Sequence, residues 1–519
     1  FVTNKNFSDK FTSIFLIPLF VSCGCSLQVS SMKLSYPQLL KQLYNTNWFN
    51  PVKLGLENMQ RLNSLLNDPL RSVPIVHVTG TNGKGSVSLK IARALTANGI
   101  RTGLYTSPHI SSFKERIQID GVSISDGEVE ELLPNLFQLC IENNIPATFF
   151  ELATALAFQK FHLGKCEAVV LEVGLGGRLD ATNIVNPLLS IITTIQYDHM
   201  HILGDTIEKI ASEKGGIIKP HVDALIGPGC PQQQMRDIAI SRNAPFHTIT
   251  SVLPPELRLH NEKDPIFSDT DYLNTDLSLA ALHIIKQQNN PLSSRIVLDK
   301  EEVRQALFSR PICRFELFDV HSEGSYSQVK IILDMAHNVD ALKALVARTR
   351  SHFPSSKIRI VLGMSSDKDI NGCLPQYLDL VEHDLTRIYC TAAHSPRALA
   401  FPELRQKFIS LAGESNASSS SEFKDGEIRD VVKVAIRESL KEQGKSHEEA
   451  YEVIYANQNT FNVDHNSNSI IIICGTAFIM SEARAEIGII EANDGDIVSD
   501  NNPHSQFKHA QEVFPEQKR

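Results

Sequence analysis

Three things are missing from this chain, and each absence narrows what it can be. None of its nine cysteines forms a C-x-x-C pair, and the closest two, Cys23 and Cys25, are a C-x-C. Neither a zinc site nor a disulfide framework is expected from such scatter. There is no basic excess: a formal net charge of -9 offers no concentrated cationic face to a nucleic acid. There is also no apolar run long enough to span a bilayer. Phe11 to Cys25 is largely apolar, follows Lys5 and Lys10, and ends among small residues. That pattern is similar to a secretory h-region but too short to cross a membrane, so no membrane partner is expected.

What is present describes a globular protein, with 42% hydrophobic and 21% charged residues. A length of 519 residues exceeds one ordinary core, so two domains with appendages are expected. Residues 1–31 read as a leader or a gene-model artefact, and Met32 opens the ordinary folded sequence. The expected compartment is the cytoplasm, with a mitochondrial address the alternative that the leader leaves open. Residues 415–468 combine a Ser-rich run, a charged helix and Asn-rich spacers, which predicts a surface insertion. Residues 492–519 are polar and are expected to be a disordered tail.

The organising stretch is V-P-I-V-H-V-T-G-T-N-G-K-G-S, Val73 to Ser86. An apolar, β-branched strand runs into a Gly-rich turn, and Val87, Ile91, Ala94 and Leu95 then follow at helical spacing until Gly99. Strand, turn and helix make a phosphate loop, because glycines let backbone N–H groups converge on phosphate oxygens at a helix N-terminus. Gly80, Thr81, Asn82, Gly83 and Gly85 would form the cradle. Lys84 would face the terminal phosphates, and Ser86 a phosphate or magnesium ion. The usual G-x-x-x-x-G-K-[ST] spacing is not met, since Val78 stands at the first glycine and Gly85 separates Lys84 from Ser86. A plain strand-to-helix connection is therefore the bland alternative.

Further polar residues stand at the ends of strands. Arg101–Thr106 reads as a strand that ends in Ser107-Pro108-His109, and Phe113–Gly121 as another strand reaching a turn. The apolar strand Ala168–Val173 carries Glu172 near its carboxyl end, ahead of G-L-G-G-R-L-D-A-T-N. A carboxylate there is costly unless paired or bound to a cation, which makes Glu172 a metal or catalytic candidate; a solvated strand end is the alternative. Leu188–Ile195 leads to Asp198-His199-Met200-His201, and Asp205 is expected to cap a helix containing Lys214. Alternating strands and helices over 73–226 predict a doubly wound α/β domain. Beyond Arg310-Pro311 a second, smaller α/β unit is expected, with helices before it at Asn274–Gln287 and Asp299–Leu307 and strands at Ile331–Asp334, Ile358–Gly363 and Ser469–Ala477.

Eight blocks in order carry a resemblance over about residues 34–485. They are T-G-T-N-G-K-G-S, T-S-P-H, E-R-I-Q-I-D-G, E-V-G-L-G-G-R-L-D-A-T-N, D-H-M-H-I-L-G, E-K-G-G-I-I-K, L-D-M-A-H-N and H-S-P-R-A-L. The chain resembles the folylpolyglutamate synthase and dihydrofolate synthase family, within the Mur ligase superfamily. The resemblance implies an N-terminal P-loop ATPase domain over 32–309 and a smaller C-terminal domain over 310–491. It implies an ATP-dependent ligase that joins L-glutamate to a pterin carboxylate through an acyl phosphate. It also implies ATP as co-substrate, one or two Mg2+ ions, small-molecule partners only, and a monomer. Ser107, Glu172 and His199 match the magnesium positions, and Lys214 matches a lysine that is carbamylated in related ligases and could then hold a second ion. Asn274, Arg314, Asp334, His337 and Asn338 match nucleotide-contacting positions, Lys84, Lys214 and His199 catalytic ones, and Arg178 and Asp180 the substrate side.

Two departures stand out. Met335 replaces glycine in D-M-A-H-N and is expected to crowd the turn, and the linker reads Pro311-Ile312-Cys313-Arg314, one residue longer than the family's P-G-R and without its glycine. The G-G-R-L-D-A-T-N form favours dihydrofolate synthase, with polyglutamylation as a second activity. Tail extension alone is the runner-up; a P-loop kinase or NTPase and an inactive scaffold are the alternatives of other classes.

Overall fold

The computed structural model describes residues 34–49, 55–259, 269–322, 325–393, 398–412, 425–443, 451–455, 469–491 and 493–494. The expected leader, the Ser-rich and Asn-rich parts of 415–468, the His394–Arg397 block and the tail from 495 lie outside the described residues.

Two sheets organise the molecule. The first contains β1 (Ile75–Thr79), β2 (Thr102–Tyr105), β3 (Ile117–Ile119), β4 (Val122–Ser123), β5 (Ala168–Glu172), β6 (Leu189–Thr194), β7 (Asp223–Gly229) and β8 (Phe246–Thr248). Their order is β4-β3-β2-β5-β1-β6-β7-β8, with β2 through β8 parallel and β3 and β4 antiparallel at one edge. β1 and β5 are buried at every position, as parallel strands covered on both faces must be. One face is covered by helices Tyr36–Phe49, Glu57–Leu65, Asp126–Glu142 and Phe149–Leu163. The other is covered by Lys84–Ala97, Asp269–Gln287 and Glu301–Phe308. This is the doubly wound domain the alternation predicts. β1 lies between β5 and β6, so the chain leaves β1 at the centre of the sheet, where open α/β sheets bind ligands.

The second sheet contains β9 (Glu316–Ser322), β10 (Ser325–Asp334), β11 (Lys357–Leu362), β12 (Ile388–Cys390), β13 (Tyr451–Tyr455) and β14 (Ser469–Cys474), in the order β12-β11-β14-β10-β9-β13. β12, β11, β14 and β10 are parallel, and β9 is antiparallel to both β10 and β13. Among the described residues no helix is long and apolar enough to cross a membrane.

Several expectations need correction. Phe113–Arg116 is a 3-10 turn, not strand, because Ser112 and Glu115 form a capping box that starts a helix there; only Ile117–Ile119 extends. Thr206, not Asp205, caps helix Ile207–Gly215, and Asp205 is exposed and paired with Lys209. The 415–468 stretch is not wholly a surface insertion. Helix Ile428–Lys441 buries Ile428, Val431, Val432, Ala435, Ile436 and Leu440 in the core of the second sheet, at helical spacing, and β13 closes that sheet's edge. The expected tail begins later than 492, since Asp494 is buried.

Candidate active site

The loop after β1 is fastened to the end of β6. Thr81 N–H donates to the Thr194 carbonyl at 2.8 Å and Asn82 N–H to Thr194 Oγ1 at 3.0 Å; Thr193 Oγ1 donates to the Asn82 carbonyl at 2.6 Å. Glycine is required at two points. A Cβ on Gly80 would lie 1.9 Å from Thr193 Oγ1, and Gly83 has φ +86° with Asn274 Oδ1 only 2.6 Å from where a Cβ would be. Asn274 thus sits against the turn. Lys84 begins the following helix, Ser86 lies in its first turn, and Lys84 Nζ donates to the Gly80 and Thr81 carbonyls, both at 3.0 Å.

Lys214, buried at the end of helix Ile207–Gly215, donates from Nζ to the same Gly80 carbonyl at 2.8 Å. Two lysine amines therefore share one oxygen. Burial, then the Lys84 charge, pushes the Lys214 amine down to about 7. Burial also lowers Lys84, against the pull of Glu172 and Asp198. The Gly-rich run explains how Lys214 comes so close, because a Cβ on Gly177 would meet the Glu213 and Lys214 carbonyls at 2.9 Å.

Glu172 ends β5 level with Val78 of β1 and is 4% exposed. Its Oε2 accepts the Ser107 N–H at 3.0 Å. Burial raises its proton affinity even though Lys84 and the Ser107 N–H oppose the rise. Gly85 leaves its carboxylate approachable, with Oε2 3.4 Å from where a Cβ would be.

The second domain supplies the opposite wall. Both Asp334 oxygens are engaged by backbone N–H groups, Oδ2 by Phe315 and Oδ1 by Ala336, each at 2.8 Å. Asp334 thereby brackets the linker around Arg314, whose charge acts on Lys84, Glu172 and Asp334. The linker manages without glycine by placing Cys313 (φ +53°) and Phe315 (φ +49°) in left-handed conformations, which cost about 1–2 kcal/mol each. The Cys313 N–H to Glu316 Oε2 bond at 2.9 Å and the Phe315 N–H to Asp334 bond hold them there. Met335 does not crowd the turn: its side chain is buried in the cluster containing Cys313, Ile479 and Met480.

His337 Nε2 lies 3.6 Å from Asp198 Oδ2, and Asn338 exchanges amide hydrogen bonds with Asn82 at 3.1 and 3.2 Å. Lys368, in the M-S-S-D-K-D turn after β11, donates to Asp198 Oδ1 at 2.8 Å and contacts His199 Nε2 at 3.1 Å. Asp367 lies 3.9 Å from His199 Nδ1. Burial would raise the Asp198 carboxyl, but His337, Lys368 and His199 hold it far below the usual carboxylate range. Burial pushes the His199 imidazole down to about 4, so it is neutral near pH 7. Sequence alone gives no role to Asp198, Asp367 or Lys368; the polar run after β11 is the signal that marks the latter two.

Arg178 and Asp180 make their hydrogen bonds within their own loop and to Glu213, beside Lys214, whose amine feels the Asp180 charge. Arg178 is half exposed and forks onto Glu213 at 2.8 and 3.1 Å. Asp180 is buried and accepts from Thr182 N–H, Thr182 Oγ1 and Leu175 N–H at 3.0, 2.5 and 2.9 Å. It caps the turn Ala181–Ile184 and shapes its own loop.

No three His, Cys, Asp or Glu side chains among the described residues are grouped to hold a metal ion on their own. Glu172 is a buried carboxylate beside Ser107 with room next to it, a donor type that suits magnesium, whereas the described contacts of His199 are with Asp198, Asp367 and Lys368. A hard ion held by so few protein groups takes its other ligands from water and substrate phosphates.

This fold and rim define a Mur ligase. The Mur ligase middle domain matches residues 78–228, and the glutamate ligase domain of Mur ligases matches residues 314–447. The chain is 32% identical over 451 residues to the dihydrofolate synthase/folylpolyglutamate synthase of Bacillus subtilis, covering 84% of this chain and 95% of that protein. It is 31% identical over 343 residues to a probable dihydrofolate synthetase of Schizosaccharomyces pombe, covering 62% and 79%. A solved structure of bifunctional folylpolyglutamate synthase/dihydrofolate synthase from Yersinia pestis, complexed with AMPPNP and a manganese ion, aligns with a TM-score of 0.66 at 28% identity. It covers 87% of this chain and 98% of that one. The chain belongs to the dihydrofolate synthase/folylpolyglutamate synthase family, and it is an ATP-dependent carbon–nitrogen ligase.

Proposed function

We propose that this ligase joins L-glutamate to dihydropteroate to make dihydrofolate, and that it also extends folate tails by the same chemistry. The observation that carries this reading is that the buried Lys214 and the part-buried Lys84 share the Gly80 carbonyl beside the buried carboxylate of Glu172. Such a site gathers charge where phosphoryl transfer develops it.

A carboxylate is a poor acyl donor, so it is activated first. One carboxylate oxygen of the pterin acid attacks the γ-phosphorus of ATP, the bond to the bridging oxygen breaks, and ADP leaves. The uncharged amine of glutamate then attacks the acyl carbon. The carbon–oxygen bond breaks, inorganic phosphate departs, and the amine proton passes to solvent. Lys84 and Arg314 neutralise the transferring phosphoryl group, with Arg314 delivering a permanent charge from the linker. Gly80, Thr81, Asn82, Gly83, Gly85 and Ser86 cradle the phosphates. Asn274, Asp334 and His337 bound the nucleotide side. Ser107, Glu172 and His199 would hold magnesium, which would supply charge neutralisation to the phosphates. An amine depressed to about 7 is uncharged often enough to take up carbon dioxide, which suits Lys214 to carbamylation.

The test is ADP release with MgATP and L-glutamate, comparing dihydropteroate, tetrahydrofolate and no pterin. Release with both pterins is the expected outcome. Release with tetrahydrofolate alone would leave tail extension as the only activity. Release without any pterin would replace the ligase reading with a nucleotidase.

A further inference from the structure

After helix Met480–Glu486 the chain turns at Gly488, with φ +86°, and returns toward the first domain. Glu491 takes Arg484 through two bonds, Nε at 2.8 Å and an Nη at 3.0 Å, and accepts the Ser111 hydroxyl on the same carboxylate. Arg484 is itself buried against Glu316 of β9. Asp494 is 5% exposed and lies wholly among first-domain groups. Its Oδ2 accepts Tyr36 Oη at 2.8 Å, Ser112 Oγ at 3.0 Å and Phe113 N–H at 2.7 Å, while its own N–H donates to the Ser111 carbonyl at 2.8 Å.

These contacts converge on one loop. Ser107 at its start donates to Glu172, and Ile110 in its middle is buried in the second domain's core cluster. Ser111 and Ser112 N–H groups share Glu115 Oε1, each at 2.7 Å, and His109 Nδ1 accepts Arg116 Nε at 2.7 Å. The segment packs Ile487 and Ile489 on the second domain's core, and beyond that packing it spends two carboxylates, 380 or more residues away in sequence, on hydroxyls and amides of the loop. A buried carboxylate that accepts three bonds is fixed in place, and so are its donors.

We propose that Glu491 and Asp494 form a strap that holds the Ser107–Phe113 loop in register with Glu172, and that they are positioning residues for the acceptor acid. The inference rests on the proposed function for its substrate, since the acid must reach the γ-phosphate beside Glu172. Its structural half stands without that reading.

The test uses the full chain with Asp494→Ala and Asp494→Asn. Asp494→Ala is expected to raise KM for the pterin acid about tenfold or more, with KM for ATP within twofold, and Asp494→Asn to recover most of the loss. A merely structural role would lower the active fraction and hence kcat while leaving both KM values unchanged, and would overturn the proposal. Hydrogen exchange is the second readout. Amides of 107–116 should exchange at least tenfold faster in Asp494→Ala, while those of helix Lys84–Ala97 keep their rates; unchanged loop exchange sinks the strap. Should Asp494→Ala fail to fold, Tyr36→Phe and Glu491→Gln each remove one strap contact and are read the same way. If the wild type shows no glutamate-dependent turnover, the functional reading fails, and loop exchange alone decides the strap.

Discussion

The two sheets present their chemistry at the same kind of place but hold it by different means. At the first sheet the site is fixed within its own domain, by bonds that each end on a backbone group of the turn. The Gly80–Gly85 turn is sewn to the end of β6, and Lys84 and Lys214 both point at one carbonyl. At the second sheet the site is held by side chains that reach across to the other domain, Lys368 to Asp198 and His199, and Asn338 to Asn82. The first rim is a finished fixture. The second contributes contacts that exist only while the domains are together, which is the arrangement expected where chemistry waits on closure.

The contrast predicts a ranking of damage. Lys84→Ala or Glu172→Ala should lower ligation by roughly a thousandfold or more, the order seen when a transition-state charge partner is removed. Thermal unfolding should stay cooperative in both variants. Wild-type turnover in either folded variant would sink the role assigned to the first rim.

Lys368→Ala should cost less, on the order of ten- to a hundredfold in kcat/KM, because it weakens a contact between rims and leaves the phosphate cradle intact. A double-mutant cycle with Asp198→Asn should give a coupling of about 1–3 kcal/mol for a pair this buried. Strictly additive losses would erase the contrast between the rims.

The same contrast decides what could be read from sequence. The first rim was legible because its parts are local: a strand, a glycine turn and a lysine lie within fourteen consecutive residues, Val73 to Ser86. Glu172 was legible because a charge inside an apolar strand needs a reason. Lys368 was not, since nothing near it in sequence says that it meets Asp198 170 positions earlier. Helix Ile428–Lys441 departs from expectation for a different reason. Its core face is plainly periodic, but the polar low-complexity sequence on both sides of it suggested an insertion. Asp180 is expected on the substrate side from the resemblance alone, and sequence gives no sign that its buried carboxylate also ties its own turn together.

A smaller effect concerns Lys90, which is almost fully buried. Lys90 donates to the Leu307 and Ser309 carbonyls at 2.6 and 2.9 Å, fastening the phosphate-loop helix to the start of the linker. Burial, opposed by Asp271, pushes its amine from 10.5 down to about 7. Above about pH 10.5 it is neutral in both folded and unfolded chains. As pH falls toward 7 the unfolded chain takes the proton first, so stability is lost in that window and rises again with pH. Unfolding free energy should therefore climb more steeply from pH 7 to 9.5 in the wild type than in Lys90→Met, measured by denaturant titration at each pH. Equal slopes would show that the lysine is not depressed in the folded protein.

The smallest effect is expected at Arg178, and it sharpens the contrast from outside. Its guanidinium is half exposed and already paired with Glu213, itself a quarter exposed. Ion pairs this wet contribute about 0–1 kcal/mol. Arg178→Ala should thus move stability by no more than that and leave KM for the pterin acid within twofold, while Asp180→Ala, which unpairs buried N–H groups, should cost about 1–3 kcal/mol of stability. A tenfold rise in pterin KM for Arg178→Ala would return this residue to the substrate, and would mean that the first rim extends along the Gly-rich run beyond Glu172.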